Sequence, residues 1–164
     1  MRLIAVGLLA CSLSFSVGSN AQSVPSLRVT APLSAEGGVP KYEDARLSDA
    51  QRTTASWLAQ GNYQSAIPAL QDLARDGDGW AMREIGRLYA DGRGVAPDSG
   101  KALGWFYEAA LADDKPSMLV LGIAFSRGYG VDRDSSLARS WLQRARTSDD
   151  IHVAGAAADE LRRL

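Results

Sequence analysis

The sequence predicts an all-α fold, a short α-solenoid of helix-turn-helix repeats wound into an α-α superhelix, and three observations point to it. Two segments match at a spacing of 36 residues without insertion or deletion: Ile85 with Leu121, Gly86 with Gly122, Tyr89 with Phe125, Gly92 with Gly128, Gly94 with Gly130, Val95 with Val131, Asp98 with Asp134, Ala102 with Ala138, Trp105 with Trp141 and Ala109 with Ala145. From about Leu47 onward apolar residues recur at three- and four-residue steps, which is the spacing of one face of a helix. Gly, Pro and Asp punctuate these stretches at the places where helices stop and start. A fixed period of this length marks units that stack on their neighbours, and such arrays present a surface to another macromolecule.

Taken in order, the pattern predicts helices at roughly 48–60, 63–75, 79–91, 99–112, 116–127, 135–147 and 151–163. The helix at 63–75 is an earlier copy of the second helix of each pair, because Ala66, Ala102 and Ala138 fall at steps of 36, as do Leu70, Phe106 and Leu142. The last helix is a solitary first helix, since Met82 and Met118 lead to Ala154, Ile85 and Leu121 to Ala157, and Tyr89 and Phe125 to Leu161. It caps the stack, and Arg162 and Arg163 near its end suit both water and the helix dipole. The domain therefore divides into repeats at about 47–78, 79–114 and 115–150 with a capping helix at 151–164. Gly86 and Gly122 stand inside helices, where glycine costs about 1 kcal/mol relative to alanine, so close helix–helix approach is the expected reason for them. Gly92 and Gly128 fit C-terminal caps with positive φ, Asp98 and Asp134 fit N-caps, Val95 and Val131 pin the loops, and Trp105 and Trp141 wedge between successive helices.

Ahead of the domain, Met1 and Arg2 precede an apolar run from Leu3 to Val17, followed by Ser19-Asn20-Ala21. This is the pattern of a secretory signal peptide, residues 1–21, cut after Ala21, and the run falls short of the ~20 residues a membrane-spanning helix needs. Leu8-Leu9-Ala10-Cys11 also resembles a lipoprotein box, with Leu9 bulky for its place. Cleavage after Ala21 removes Cys11, the only cysteine, and leaves a periplasmic or secreted chain without a disulfide or thiol nucleophile. It also removes Arg2, so that 17 basic residues face 19 acidic ones, a net charge of −2 that argues against nucleic acid or anionic lipid as the main partner. Residues 22–46 are rich in Pro, Ser and Gly without a sustained apolar period and read as a flexible linker. Val24, Leu27, Val29 and Leu33 leave open a short extended segment that docks on the domain or on a partner.

The segments EIGRLYADGRGVAPDSGKALGWFYEAA and LGIAFSRGYGVDRDSSLARSWLQRA resemble the Sel-1-like repeat family, relatives of the tetratricopeptide repeat. The family pattern is approximately A-x3-L-G-x2-Y-x2-G-x-G-V-x2-D-x3-A-x2-W-x3-A-A. The first segment departs from it only at Ile85, and the second at Ser117, Ala124, Phe125 and Arg146. The two copies cover about 66 residues. The earliest pair has only Gly61-Asn62 between its helices, which gives tetratricopeptide spacing. The resemblance implies a right-handed superhelix whose first helices line a concave face. It places Trp80, Arg83, Arg87 and Asp91 of one repeat and Leu119, Ile123 and Arg127 of the next in that groove, a mixed apolar and cationic strip suited to an acidic peptide or helix. The opposing expectation is that the apolar members contact the adjacent helix of the stack.

Other chemistry is poorly supported by the residues. Gly92-x-Gly94 and Gly128-x-Gly130 link two helices instead of following a strand, and Ser99-Gly100-Lys101-Ala102 lacks the first glycine and the magnesium-binding hydroxyl of a P-loop. His152 is the only histidine, which argues against a transition-metal site, and Asp113-Asp114 and Asp149-Asp150 read as loop and N-cap carboxylates before they read as cation ligands. No G-x-S-x-G elbow occurs. The sequence thus leads to a protein-binding adaptor or scaffold of the bacterial envelope with no cofactor and no metal. The family resemblance adds two alternatives, an immunity protein that neutralises a secreted phospholipase toxin and a hydrolase of cell-wall or β-lactam material.

Overall fold

The computed structural model describes residues 47–164, and the leader, Cys11 and the linker at 22–46 lie outside the described residues. Among the described residues there are seven α-helices and no strand: α1 (Asp49–Ala59), α2 (Tyr63–Arg75), α3 (Gly79–Asp91), α4 (Ser99–Leu111), α5 (Lys115–Arg127), α6 (Ser135–Ala145) and α7 (Ile151–Leu161). Each helix lies within a residue or two of the range that periodicity and punctuation indicate. Consecutive helices pack on one another from α1 to α7, and α5 additionally meets α7, two places further on.

Side-chain caps set the helix starts, and the caps themselves obey the 36-residue period. Asn62, Asp98 and Asp134 cap α2, α4 and α6, while Asp78, Asp114 and Asp150 cap α3, α5 and α7. Each carboxylate or amide oxygen accepts a backbone N–H that the first helical turn would otherwise leave unpaired. Ser48 opens α1 with a capping box closed by Gln51. At the other end of α3 and α5 the chain turns through Gly92 (φ 66°) and Gly128 (φ 77°), the left-handed conformation that glycine adopts without steric cost. Between repeats the same conformation falls on Gly77 (φ 87°) and, 36 residues later, on Asp113 (φ 65°), an aspartate being one of the few side chains that tolerate it.

Two apolar clusters form the core. The N-terminal one joins Leu58, Ala66, Leu70, Trp80, Ile85 and Leu88, and the C-terminal one joins Phe106, Met118, Leu121, Phe125, Trp141, Leu142, Val153 and Ala157. Trp141 is buried, edge-on to Tyr107 at 5.8 Å with Arg144 above its ring. Its partner in the register, Trp105, is only half-buried against the N-terminal cluster, so the two tryptophans are not equivalent wedges. Val131 is buried as expected of a loop pin, and Val95 is half-buried.

The helical glycines differ in what they permit. A Cβ on Gly122 would stand 2.6 Å from Leu142 Cγ and Cδ2, and one on Gly86 3.1 Å from Phe106 Cε1, whereas one on Gly104 would meet nothing within 4 Å. Close approach of α5 to α6, and of α3 to α4, thus requires the missing side chain. Gly122→Ala is expected to destabilise the domain by about 1–3 kcal/mol through overpacking. Gly104→Ala should stabilise it by up to about 1 kcal/mol through helix propensity. Thermal unfolding followed by circular dichroism distinguishes the two, with the melting temperature falling in the first variant and rising in the second.

Candidate partner-binding site

The first helices α1, α3, α5 and α7 form a row whose members are joined by side chains. Gln51 Nε2 of α1 donates to Asp78 Oδ2, the cap of α3, at 2.7 Å. Arg83 Nη1 of α3 donates to Asp114 Oδ1, the cap of α5, at 2.6 Å. Asp114 uses its other oxygen for its own helix, accepting from the Ser117 N–H at 2.9 Å and the Ser117 hydroxyl at 2.6 Å. Between α5 and α7 the link is Glu160, which accepts from Arg127 Nε at 3.0 Å, Arg127 Nη2 at 2.7 Å and the Ser126 hydroxyl at 2.7 Å.

Against this frame the seven residues expected to line an open groove divide sharply. Trp80 is buried in the N-terminal core, and Leu119 is completely buried in the C-terminal one. Arg83 and Arg87 are buried as well, Arg83 held by Asp114 and, at 3.7 Å, by Glu84, and Arg87 by Glu84 at 3.3 Å. Ile123 is half-buried against the C-terminal cluster. Arg127 is exposed but engaged by Glu160, and Asp91 is exposed with its carboxylate 3.9 Å from Arg93. The expected strip is therefore closed over most of its length. The cause is position in the stack: α3 lies between α2 and α4, and α5 is enclosed by α4, α6 and α7, which leaves a middle helix little free surface.

The closed stripe is incompletely hydrogen-bonded at one point. Among the described residues, the buried side-chain polar atoms without a hydrogen-bond partner are Arg83 Nη2 and Arg87 Nε. Both belong to the same stripe of α3, one turn apart. An unpaired buried donor costs about 1–3 kcal/mol, and more when it belongs to a charged group, so nearly all such atoms in folded proteins are paired. The local charges, two guanidinium groups against the carboxylates of Glu84 and Asp114, balance, but the donors outnumber the acceptors in reach.

Sequence reasoning did not single out Glu160 or Ser126. The register itself carries the signal, because Glu160 lies 36 residues after Ala124, a core position, and a carboxylate at a core position calls for a buried partner. The Arg127 guanidinium, first, and then the Ser126 hydroxyl and Arg163 hold the Glu160 carboxyl down at about 2 against the burial that would raise it, and Glu160 in turn raises Arg127. His152 is exposed at the start of α7, where its backbone N–H donates to Asp150 at 2.8 Å. Asp113 and Asp114 are explained by the left-handed turn and the helix cap, and Lys115 pairs with Asp113 at 2.7 Å. No group of three or more His, Cys, Asp or Glu side chains among the described residues is placed to hold a metal ion, and no described helix is long and apolar enough to cross a membrane.

An all-helical row of antiparallel pairs with a polar ladder along one set of helices defines the class as an α-solenoid repeat protein. Within that class the chain carries two Sel1 repeats, matched at residues 81–114 and 115–150. The crystal structure of a Sel1 repeat protein from Oxalobacter formigenes is similar to it, with a TM-score of 0.57 and 27% sequence identity over 66% of this chain and 84% of that one. No curated protein sequence matched. Sel1 repeats generally act as scaffolds for protein–protein interaction.

The Glu160 link generates a pH prediction. Its carboxyl titrates at about 2 in the fold, below the ordinary 4.5 of an unfolded chain, so its stabilising effect is complete above pH ~4.5 and is lost as pH falls toward 2. The difference in unfolding free energy between the native chain and Glu160→Gln should be about 1–3 kcal/mol at pH 6 and shrink toward zero near pH 2. Urea unfolding at a series of pH values measures it.

Proposed function

We propose that this protein is an exported, non-catalytic scaffold of the bacterial envelope that binds a protein or peptide partner along its first-helix row. The supporting observation is the pair of Sel1 repeats at residues 81–114 and 115–150, a repeat that generally serves as a scaffold for protein–protein interaction. Trp80, Arg83 and Arg87 are buried, so the surface this row offers a partner is Asp91, the half-buried Ile123 and the exposed Arg127. Ile123 and Arg127 continue the row on α5 with partial exposure, which extends the contact surface toward the cap helix. The apolar run with Ser19-Asn20-Ala21 supports export with cleavage after Ala21, into the periplasm or beyond.

Affinity capture from a periplasmic extract tests this reading. The native chain should retain a partner that Asp91→Lys combined with Ile123→Asp fails to retain, while the helical circular dichroism of the variant stays that of the native chain. Equal capture by a folded variant would remove the first-helix row as the contact surface. Detection of the unprocessed chain in the cytoplasmic fraction alone would remove export.

A further inference from the structure

We propose that α7 joins two copies of this chain, the α7 of each laid antiparallel on the other along a seam of Ile151, Ala154, Ala158 and Leu161.

The repeat register identifies the face of a first helix that receives its second helix. On α3, a Cβ added to Gly79 would stand 3.4 Å from the Ala109 carbonyl oxygen of α4, and one added to Gly86 3.2 Å from that of Ala102. On α5, a Cβ added to Gly122 would stand 2.6 Å from Leu142 of α6. Carried forward by the 36-residue period, Gly79 becomes Ile151, and Gly86 and Gly122 become Ala158. Yet α7 packs on α6 and α5, and no described helix stands to it as α4 stands to α3 or α6 to α5. The consequence shows in exposure: Met118, in register with Ala154, is completely buried, whereas Ala154 and Ala158 are half-buried and Ile151 is 78% exposed. Leu161 rests its inner side on the C-terminal cluster and is only half-buried. The four residues alternate at three- and four-residue steps, the spacing of a coiled-coil seam, where the end helix of a solenoid is ordinarily polar.

The seam selects a second copy because it is complementary to itself, as a two-fold interface requires. A two-fold axis at the level of Ala156 sets Ile151 of one copy opposite Leu161 of the other, and Ala154 opposite Ala158. Large side chains then meet at the two ends, and alanines at the crossing let the backbones approach. Gly155 flanks that crossing with open space around it. The same axis brings Asp149 and Asp150, ahead of the first turn, beside Arg162 and Arg163 at the end of the other helix, and it opposes the two helix dipoles. Arg162 already engages Asp159, and Arg163 engages Glu160, but a guanidinium carries five donors and serves more than one carboxylate. One 11-residue helix per copy makes a small interface, so the dimer forms as concentration rises. It involves α7 alone and stands whether or not the first-helix row takes a partner.

The experiment is sedimentation velocity on the chain from Gln22 onward, at concentrations from micromolar to millimolar. The dimer fraction should rise with concentration, and Ile151→Glu combined with Gly155→Glu should raise the concentration of half-dimerisation at least about tenfold. Both positions are exposed, and an added Cβ at Gly155 meets nothing within 4 Å, so the melting temperature of the variant should not fall. Because this chain has no native cysteine, single cysteines report the geometry. Mild oxidation should link Gly155→Cys chains, whose sulfurs meet near the axis. It should leave Ile151→Cys chains unlinked, since the two copies of that position lie about 15 Å apart along the paired helices. A native chain that stays monomeric throughout would overturn the proposal, as would a folded double variant that dimerises as the native chain does. Linking of Ile151→Cys as readily as Gly155→Cys would overturn it too.

Discussion

Asp114 does two jobs with one carboxylate, and the stacking of the repeats depends on their coincidence. One oxygen closes the first turn of α5 on Ser117, and the other holds Arg83 of α3. Capping fixes where α5 begins, and the ion pair fixes where that beginning lies relative to the preceding first helix. Both partners are almost fully buried, so the pair is protected from solvent screening and is costly to break from one side. A solenoid has no central core shared by all its units, and contacts of this sort between neighbours take the place of one.

The same register position shows how the stack changes along its length. Asp78 is met by the neutral Gln51, Asp114 by Arg83, and for Asp150 the residue of α5 in register with Arg83 is Leu119, buried in the apolar core. The polar ladder gives way to hydrophobic packing where α7 closes over α5, and an ion pair reappears about two turns further along α5 as Arg127 with Glu160. The cap helix is thus attached through apolar contact and a buried carboxylate. The α3 stripe keeps two buried donors with no acceptor among the described residues.

Much of this was legible in the residues. Glycines at 86, 92, 122 and 128 and aspartates at 98 and 134 each do what local stereochemistry assigns to them, because caps, left-handed turns and close approaches depend on a few neighbouring atoms. The burial of Arg83 and Arg87 was not legible, and that of Leu119 stood only as the opposing expectation. A helix within a stack has two or three faces in contact, and a single apolar periodicity reports only one of them. Arginine at positions 83 and 87 reads as solvent-facing until the carboxylates of Glu84 and Asp114 are placed beside it, one from the same helix and one from the next repeat. Trp105 and Trp141 show the converse, two residues identical in the register whose burial differs with the units on either side.

The most direct test of the account compares two conservative substitutions at equivalent positions. Asp114→Asn and Asp150→Asn each retain a good N-cap, but only the first deprives a buried arginine of its counter-charge. Equilibrium urea unfolding should show a loss of about 3 kcal/mol for Asp114→Asn and less than about 1 kcal/mol for Asp150→Asn. Equal, small losses in the two variants would contradict the claim that the Arg83–Asp114 pair holds neighbouring repeats in register.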